Sequence, residues 1–221
     1  MTSVGDSFGW AFRDPAWLSK MLVQGLIVLI PIVGWIAMTG WLMMAFENAR
    51  AGKNELPPAG FHLERGIAIF VVFLVYGIVL NIPSIVLSGI ASATAQSVNQ
   101  NTAATVAGSG LFSLAGLLGF AGGLFLRFLI PSLIVNTYHG GFAGGFDLDK
   151  VWRTATLNVS NSVVAGLIIF VASIIGGLGL IVCCIGIIFT IPYENTITAA
   201  AAAWFERVQT APAAPPAAPA T

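Results

Sequence analysis

Residues 111–138, LFSLAGLLGFAGGLFLRFLIPSLIVNTY, carry a single charge, Arg127. An apolar run of more than about 18 residues has no place on a water-facing surface and reads as a membrane-spanning helix. Within it Ala115, Gly119 and Gly123 recur at every fourth position, and the next position on that stripe is Arg127. Four-residue spacing keeps side chains on one helical face. The helix therefore offers a seam of small residues for close approach of another helix, and its only charge lies on that seam.

Lipid as the solvent also accounts for the composition. The chain is 57% hydrophobic and 8% charged, whereas a soluble domain carries about 25% charged residues. Nine basic and nine acidic residues cancel. That balance leaves no basic surface for nucleic acid and no cationic helix face for anionic lipid. The only cysteines, Cys183 and Cys184, are adjacent in an apolar run. They read as small packing residues, since one adjacent pair gives neither a disulfide framework nor a metal site. Asp6, Arg13 and Asp14 precede the first apolar run, and Pro31 and Trp35 occupy the zone where a signal peptide would be cut. An uncleaved membrane helix is expected.

Taken in order, residues 4–15 place Val4, Phe8, Ala11 and Phe12 on one face, a short amphipathic segment suited to the headgroup layer. The apolar stretch 16–49 would run about 50 Å as one helix, against a hydrocarbon core of about 30 Å. Pro31 and Gly34 divide it into helices over 16–31 and 34–49, short enough to leave a re-entrant hairpin open. A basic loop, 50–65, holds Pro57-Pro58. Helices follow over 66–91 and 111–138, joined by an uncharged polar segment, 92–109. Residues 142–157 form a second amphipathic segment, with Asp147 as the N-cap. The stretch 161–192 is again too long for one crossing, and Gly176-Gly177-Leu178-Gly179 interrupts it. A helix over 195–208 leads into an Ala/Pro tail, 209–221, that cannot bury enough surface to order itself.

Lys and Arg flank every loop except 92–109. The positive-inside rule then puts both termini and the loops 50–65 and 139–158 in the cytoplasm. The expected architecture is an all-α membrane protein of about six transmembrane helices in three hairpins. It forms one polytopic domain, 1–208, in the plasma (inner) membrane, with interfacial amphipathic helices and a disordered tail.

Three stretches together resemble a known family: FRDPAWLSKMLVQGLIVLIPIVGWIAMTGWLMMAFENARAGKNELPP, GGFDLDKVWR and IIGGLGLIVCCIGIIFTIPYENTITAAAAAWFER. They are similar to domain-of-unknown-function family 4013, over nearly all of residues 8–207. The resemblance implies a multi-pass prokaryotic membrane protein and brings no activity and no catalytic residues.

Site chemistry is sparse. His62 and His139 lack the paired spacing of a zinc site, and Asp147 and Asp149 lack a calcium-loop pattern. Gly108-Ser109-Gly110 has none of the other elements of a serine-nucleophile site. No catalytic residue, metal or cofactor is expected. The expectation is a non-catalytic membrane protein that binds partners or organises a complex, with the seam Ala115, Gly119, Gly123 set against a neighbouring helix. The alternative is a small-solute or lipid transporter, for which a water-filled cavity reaching Arg127 would speak. Arg127 is expected to point into the bundle and pair with a glutamate at the same membrane side, Glu194 in preference to Glu47.

Overall fold

The structure, a computed structural model, describes residues 3–96, 102–181 and 186–210. Ser97, Cys183, Cys184 and the tail beyond Thr210 lie outside the described residues. The chain is all-helical, with no strand among the described residues. A short helix α1 (Asp6–Trp10) continues through a 3-10 turn, Ala11–Arg13. Then come α2 (Trp17–Val28), α3 (Val33–Arg50), α4 (Leu63–Gln96), α5 (Thr102–Phe146), α6 (Leu148–Thr156), α7 (Val159–Leu178) and α8 (Ile187–Thr210).

Both interruptions fall where proline and glycine place them. Pro31 lacks the N–H that would continue α2, and the chain turns over residues 29–32, with Ile32 at φ 64°. A β-branched residue in that region costs about 1–2 kcal/mol and persists only where its surroundings fix it. The second break follows Leu178, where Gly179 caps α7 and its N–H reaches back to the Gly176 carbonyl, and α8 restarts at Ile187. Gly141, at φ 56°, kinks the end of α5.

Of the six crossings expected, three correspond to helices among the described residues that are long and apolar enough to span a membrane: Leu63–Thr94, Val106–Phe146 and Val159–Leu178. Helix α2 has 12 residues and rises about 18 Å, well short of the hydrocarbon thickness. Helix α3 ends in Glu47, Asn48 and Arg50, and α8 carries Glu194 and Glu206. Residues 199–203 of α8 are fully buried alanines, and Ala37, Met38, Trp41 and Phe46 of α3 are equally buried. These helices are apolar because protein surrounds them. The spanning helices α4 and α5 instead expose Ile78, Ile85, Val86, Leu117 and Phe120, as a lipid-facing surface does.

The core sits where α3 and α8 cross, and the loop 51–62 is fastened over it. Asp14, only 2% exposed, accepts hydrogen bonds from the backbone N–H of Ala16 and of Leu56, both at 2.7 Å, and from Lys20 Nζ at 2.7 Å. Lys20 also donates to the Leu56 carbonyl at 2.6 Å. Trp10 Nε1 donates to the Lys53 carbonyl, Trp41 Nε1 to the Pro57 carbonyl, and the Gly60 N–H donates to Gln24 Oε1. The first amphipathic segment packs one face on the bundle. It buries Trp10 and Ala11 against the bundle, and Tyr193 of α8 donates to the Phe8 carbonyl. Phe12 remains exposed. In α6, Asp147 Oδ1 accepts from the Lys150 N–H at 3.0 Å, the expected cap, with Val151 and Ala155 buried.

Burial pushes the Asp14 carboxyl up, but Lys20, the two backbone N–H donors and the Lys20 charge outweigh it and hold it below its usual range. A carboxyl depressed in the folded state contributes stability that is present above its unfolded value near 3.8 and lost as pH falls through the folded value below it. Asp14→Ala strands Lys20 beside a buried loop and should cost about 3 kcal/mol. It should also flatten the acid limb of the stability profile, measured by thermal unfolding in detergent from neutral pH downward.

Candidate functional site

Each residue of the small-residue stripe has a different environment. Ala115 is buried, and Ser84 Oγ of α4 donates to its carbonyl at 2.8 Å. Gly119 faces the same side chain: a Cβ there would come 2.9 Å from Ser84 Oγ. Gly123 is half-buried and would meet nothing within 4 Å. The tightest approach of α4 is instead at Gly122, one residue off the stripe, where a Cβ would lie 2.7 Å from the Leu80 carbonyl oxygen. The four-residue spacing located the right turn of helix, but the contact rotates off it as the two helices cross.

Arg127 is half-buried and lines a cavity of about 720 Å³. The cavity lies between the two interrupted helix pairs. Val28, Leu29 and Trp35 border it at the α2–α3 break, and Gly176, Gly177, Leu180 and Ile187 at the α7–α8 break. Phe70, Phe73 and Leu126 form an apolar wall, while Thr39, Glu194, Asn195 and Thr198 bring polar groups to it.

Glu194 therefore shares the cavity with Arg127, and the guanidinium charge acts on its carboxylate. Neither side chain makes a hydrogen bond or an ion pair within 4.0 Å to any described residue. Glu47, the other expected partner, is corrected: its Oε2 lies 2.5 Å from Arg65 Nη1 of α4, and it does not line this cavity. A glutamate in the last turns of α3 finds the arginine at the start of the next helix before it can reach one mid-way along α5.

Two glycines hold this geometry open. A Cβ on Gly176 would collide with Glu194 Oε2, and a Cβ on Gly25 of α2 would collide with the Ile188 carbonyl of α8. Thr190 Oγ1 donates to the Gly176 carbonyl at 2.9 Å and ties the two sides of the second break together.

A second polar cluster went unseen in the sequence. Glu206, 8% exposed, accepts from Arg50 Nε at 2.6 Å and pairs with His139 Nε2 at 2.7 Å. The Arg50 guanidinium also lies 5.4 Å from the Tyr138 ring centre. The cluster joins the ends of α3, α5 and α8 and reads as a structural clamp. Its members are 156 residues apart in one pair, so no spacing signal exists to find it. His62 bonds the Pro58 carbonyl. Ser109 is helical and donates to the Val106 carbonyl. Among the described residues no group of three or more His, Cys, Asp or Glu could hold a metal.

The chain matches, over residues 23–185, the family described as a protein of unknown function (DUF4013). The chain belongs to this family. The match includes both helix interruptions, Arg127 and Gly176; Glu194 lies beyond its end. No curated protein matches the chain, and no solved structure matches it.

Gly176→Val should displace the Glu194 carboxylate and lower the unfolding midpoint, while Gly177→Val, where a Cβ would meet nothing within 4 Å, should leave it nearly unchanged. Gly119→Leu should push α4 from α5 and cost about 1–3 kcal/mol as an overpacking substitution. Detergent unfolding of the three variants checks both.

Proposed function

We propose that this DUF4013 member binds a small amphiphilic molecule inside the membrane and moves it between leaflets or across the bilayer, without catalysis. The observation that carries the reading is the cavity of about 720 Å³ at the meeting point of two interrupted helix pairs, with Arg127 and Glu194 on its wall. Non-helical backbone at membrane depth is tolerated where protein covers it or where it lines a cavity. Paired, interrupted apolar segments in two parts of a chain are a recurrent way of building a transport site. Intramembrane charges are costly and mark pathways or binding sites.

The seam does not by itself favour partner binding, because Ala115 and Gly119 face α4 of the same chain. Of the seam, Gly123 alone is open to a second protein.

The membrane arrangement belongs to the same proposal. Helices α4, α5 and α7 cross, α8 returns beside α7, and α2–α3 dips in as a re-entrant pair. Both termini and the loops 50–65 and 139–158 face the cytoplasm of a prokaryotic inner membrane. The lysine and arginine asymmetry supports this, as does the clamp of Arg50, His139 and Glu206, which keeps the ends of α3, α5 and α8 on one side.

Cysteine access tests both parts. In a background with Cys183 and Cys184 replaced by serine, Thr198→Cys should react with a small water-soluble methanethiosulfonate. Protection of Thr198→Cys even in detergent would mean a solid interior and return the argument to partner binding. In intact cells Ser97→Cys should label from outside and Asn54→Cys should not; the reverse pattern inverts the orientation. Arg127→Met should destabilise the protein, and Arg127→Met with Glu194→Gln should recover part of the loss, read as the coupling term of a double-mutant cycle.

A further inference from the structure

Arg127 and Glu194 face one cavity and do not touch. A guanidinium carries five N–H donors and a carboxylate only acceptors, and neither finds a protein partner among the described residues. Two opposite charges in a low-dielectric site attract strongly, so side chains free to meet would be expected to close on each other. Instead the Glu194 carboxylate rests against Gly176, where any side chain would exclude it. The two charges stand on different helices, α5 and α8, with the apolar wall of Phe70, Phe73, Leu126 and Ile191 beside them.

We propose that the ligand of this cavity is an apolar zwitterion. Its anionic group is taken by Arg127, its protonated amine by Glu194, and its hydrocarbon part by the α3–α4–α5 wall. This rests on the ligand-binding reading above and narrows it. The chemistry excludes the simpler classes. A purely anionic ligand would set a second negative charge against Glu194, a purely cationic one a second positive charge against Arg127, and an uncharged hydrocarbon would leave both without an opposite charge. A molecule with both charges satisfies both walls at once. The cavity volume is within the range of small-molecule sites, about 300–1,000 Å³. Two sources carry this chemistry: a free apolar amino acid, and a membrane lipid with a phosphoethanolamine head.

Equilibrium dialysis of the purified protein in detergent with labelled leucine, 4-methylpentanoate and 3-methylbutylamine separates the charge requirements. The second probe lacks the amine and the third lacks the carboxylate. In parallel, native mass spectrometry after exchange into mixed micelles of phosphatidylethanolamine and phosphatidylglycerol reads lipid retention. The amino-acid source predicts that leucine binds at least about tenfold more tightly than either single-charge analogue, a difference of the size one lost charged contact gives. The lipid source predicts selective retention of phosphatidylethanolamine. In either case Glu194→Gln should shift preference toward the anion, 4-methylpentanoate or phosphatidylglycerol. That is a change of selectivity which misfolding would not produce. Equal binding of all three small probes together with equal retention of both lipids overturns the zwitterion and leaves the cavity reading standing. No binding in any arm, with Thr198→Cys still reactive, also overturns the zwitterion alone. No binding together with a protected Thr198→Cys removes both.

Discussion

The packing of this protein depends on what happens to carbonyl groups that proline leaves without a donor. Proline at position i removes the hydrogen bond to the carbonyl at i−4, and in lipid a bare carbonyl finds no water. Pro192 leaves Ile188 in this state, and Gly25 of α2 packs directly on the Ile188 carbonyl. Pro131 leaves Arg127, and Gly166 of α7 packs on the Arg127 carbonyl, where a Cβ would come within 3.1 Å. In each case a glycine lets another helix cover the exposed backbone. Close approach of small residues is also the main source of helix association where lipid is as apolar as the side chains. The two contacts fix α2 on α8 and α5 on α7.

The same geometry explains what the sequence disclosed. Proline and glycine act through their own backbone, so the breaks near Pro31 and Gly176 were legible from local chemistry, to within three residues at Val28 and within one at Leu178. The cap at Asp147 was legible for the same reason. The number of crossings was not. Ala199–Ala203 and Trp41 are as apolar as a lipid-facing run, but their neighbours are other helices, and hydropathy is blind to which apolar medium surrounds a residue. The seam was half legible. Its turn of helix was right, while Gly122 rather than Gly123 takes the closest approach.

Charge partners divide along the same line. Arg127 and Glu194 could be brought to one place by reasoning about membrane depth, because each is isolated in an apolar segment. Depth alone could not choose between Glu194 and Glu47. Glu47 pairs with Arg65 across the α3–α4 loop, a partner whose proximity depends on how the loop closes. Arg50, His139 and Glu206 meet only because three helix ends converge, and no local pattern encodes that convergence.

Ion pairs in this protein fall into two kinds, and the difference bears on function. Where the chain fastens loops and helix ends, the charges close: Lys20 on Asp14 and Arg50 on Glu206 lie at 2.7 and 2.6 Å. Each of these pairs also satisfies backbone or a second side chain, which offsets the loss of hydration. At Arg127 and Glu194 the charges remain apart inside an apolar cavity. An arginine at the centre of a spanning helix costs about 2.5–3.5 kcal/mol on the insertion scale, and each Leu, Ile, Phe or Val around it returns about 0.3–0.6. Residues 111–135 hold fifteen such side chains, enough to insert the helix with its charge unpaired. Insertion therefore does not force Arg127 to close on Glu194. The fold tolerates an open pair because the helix is apolar enough to carry it, so the two charges can stay on the separate helices α5 and α8 across the cavity.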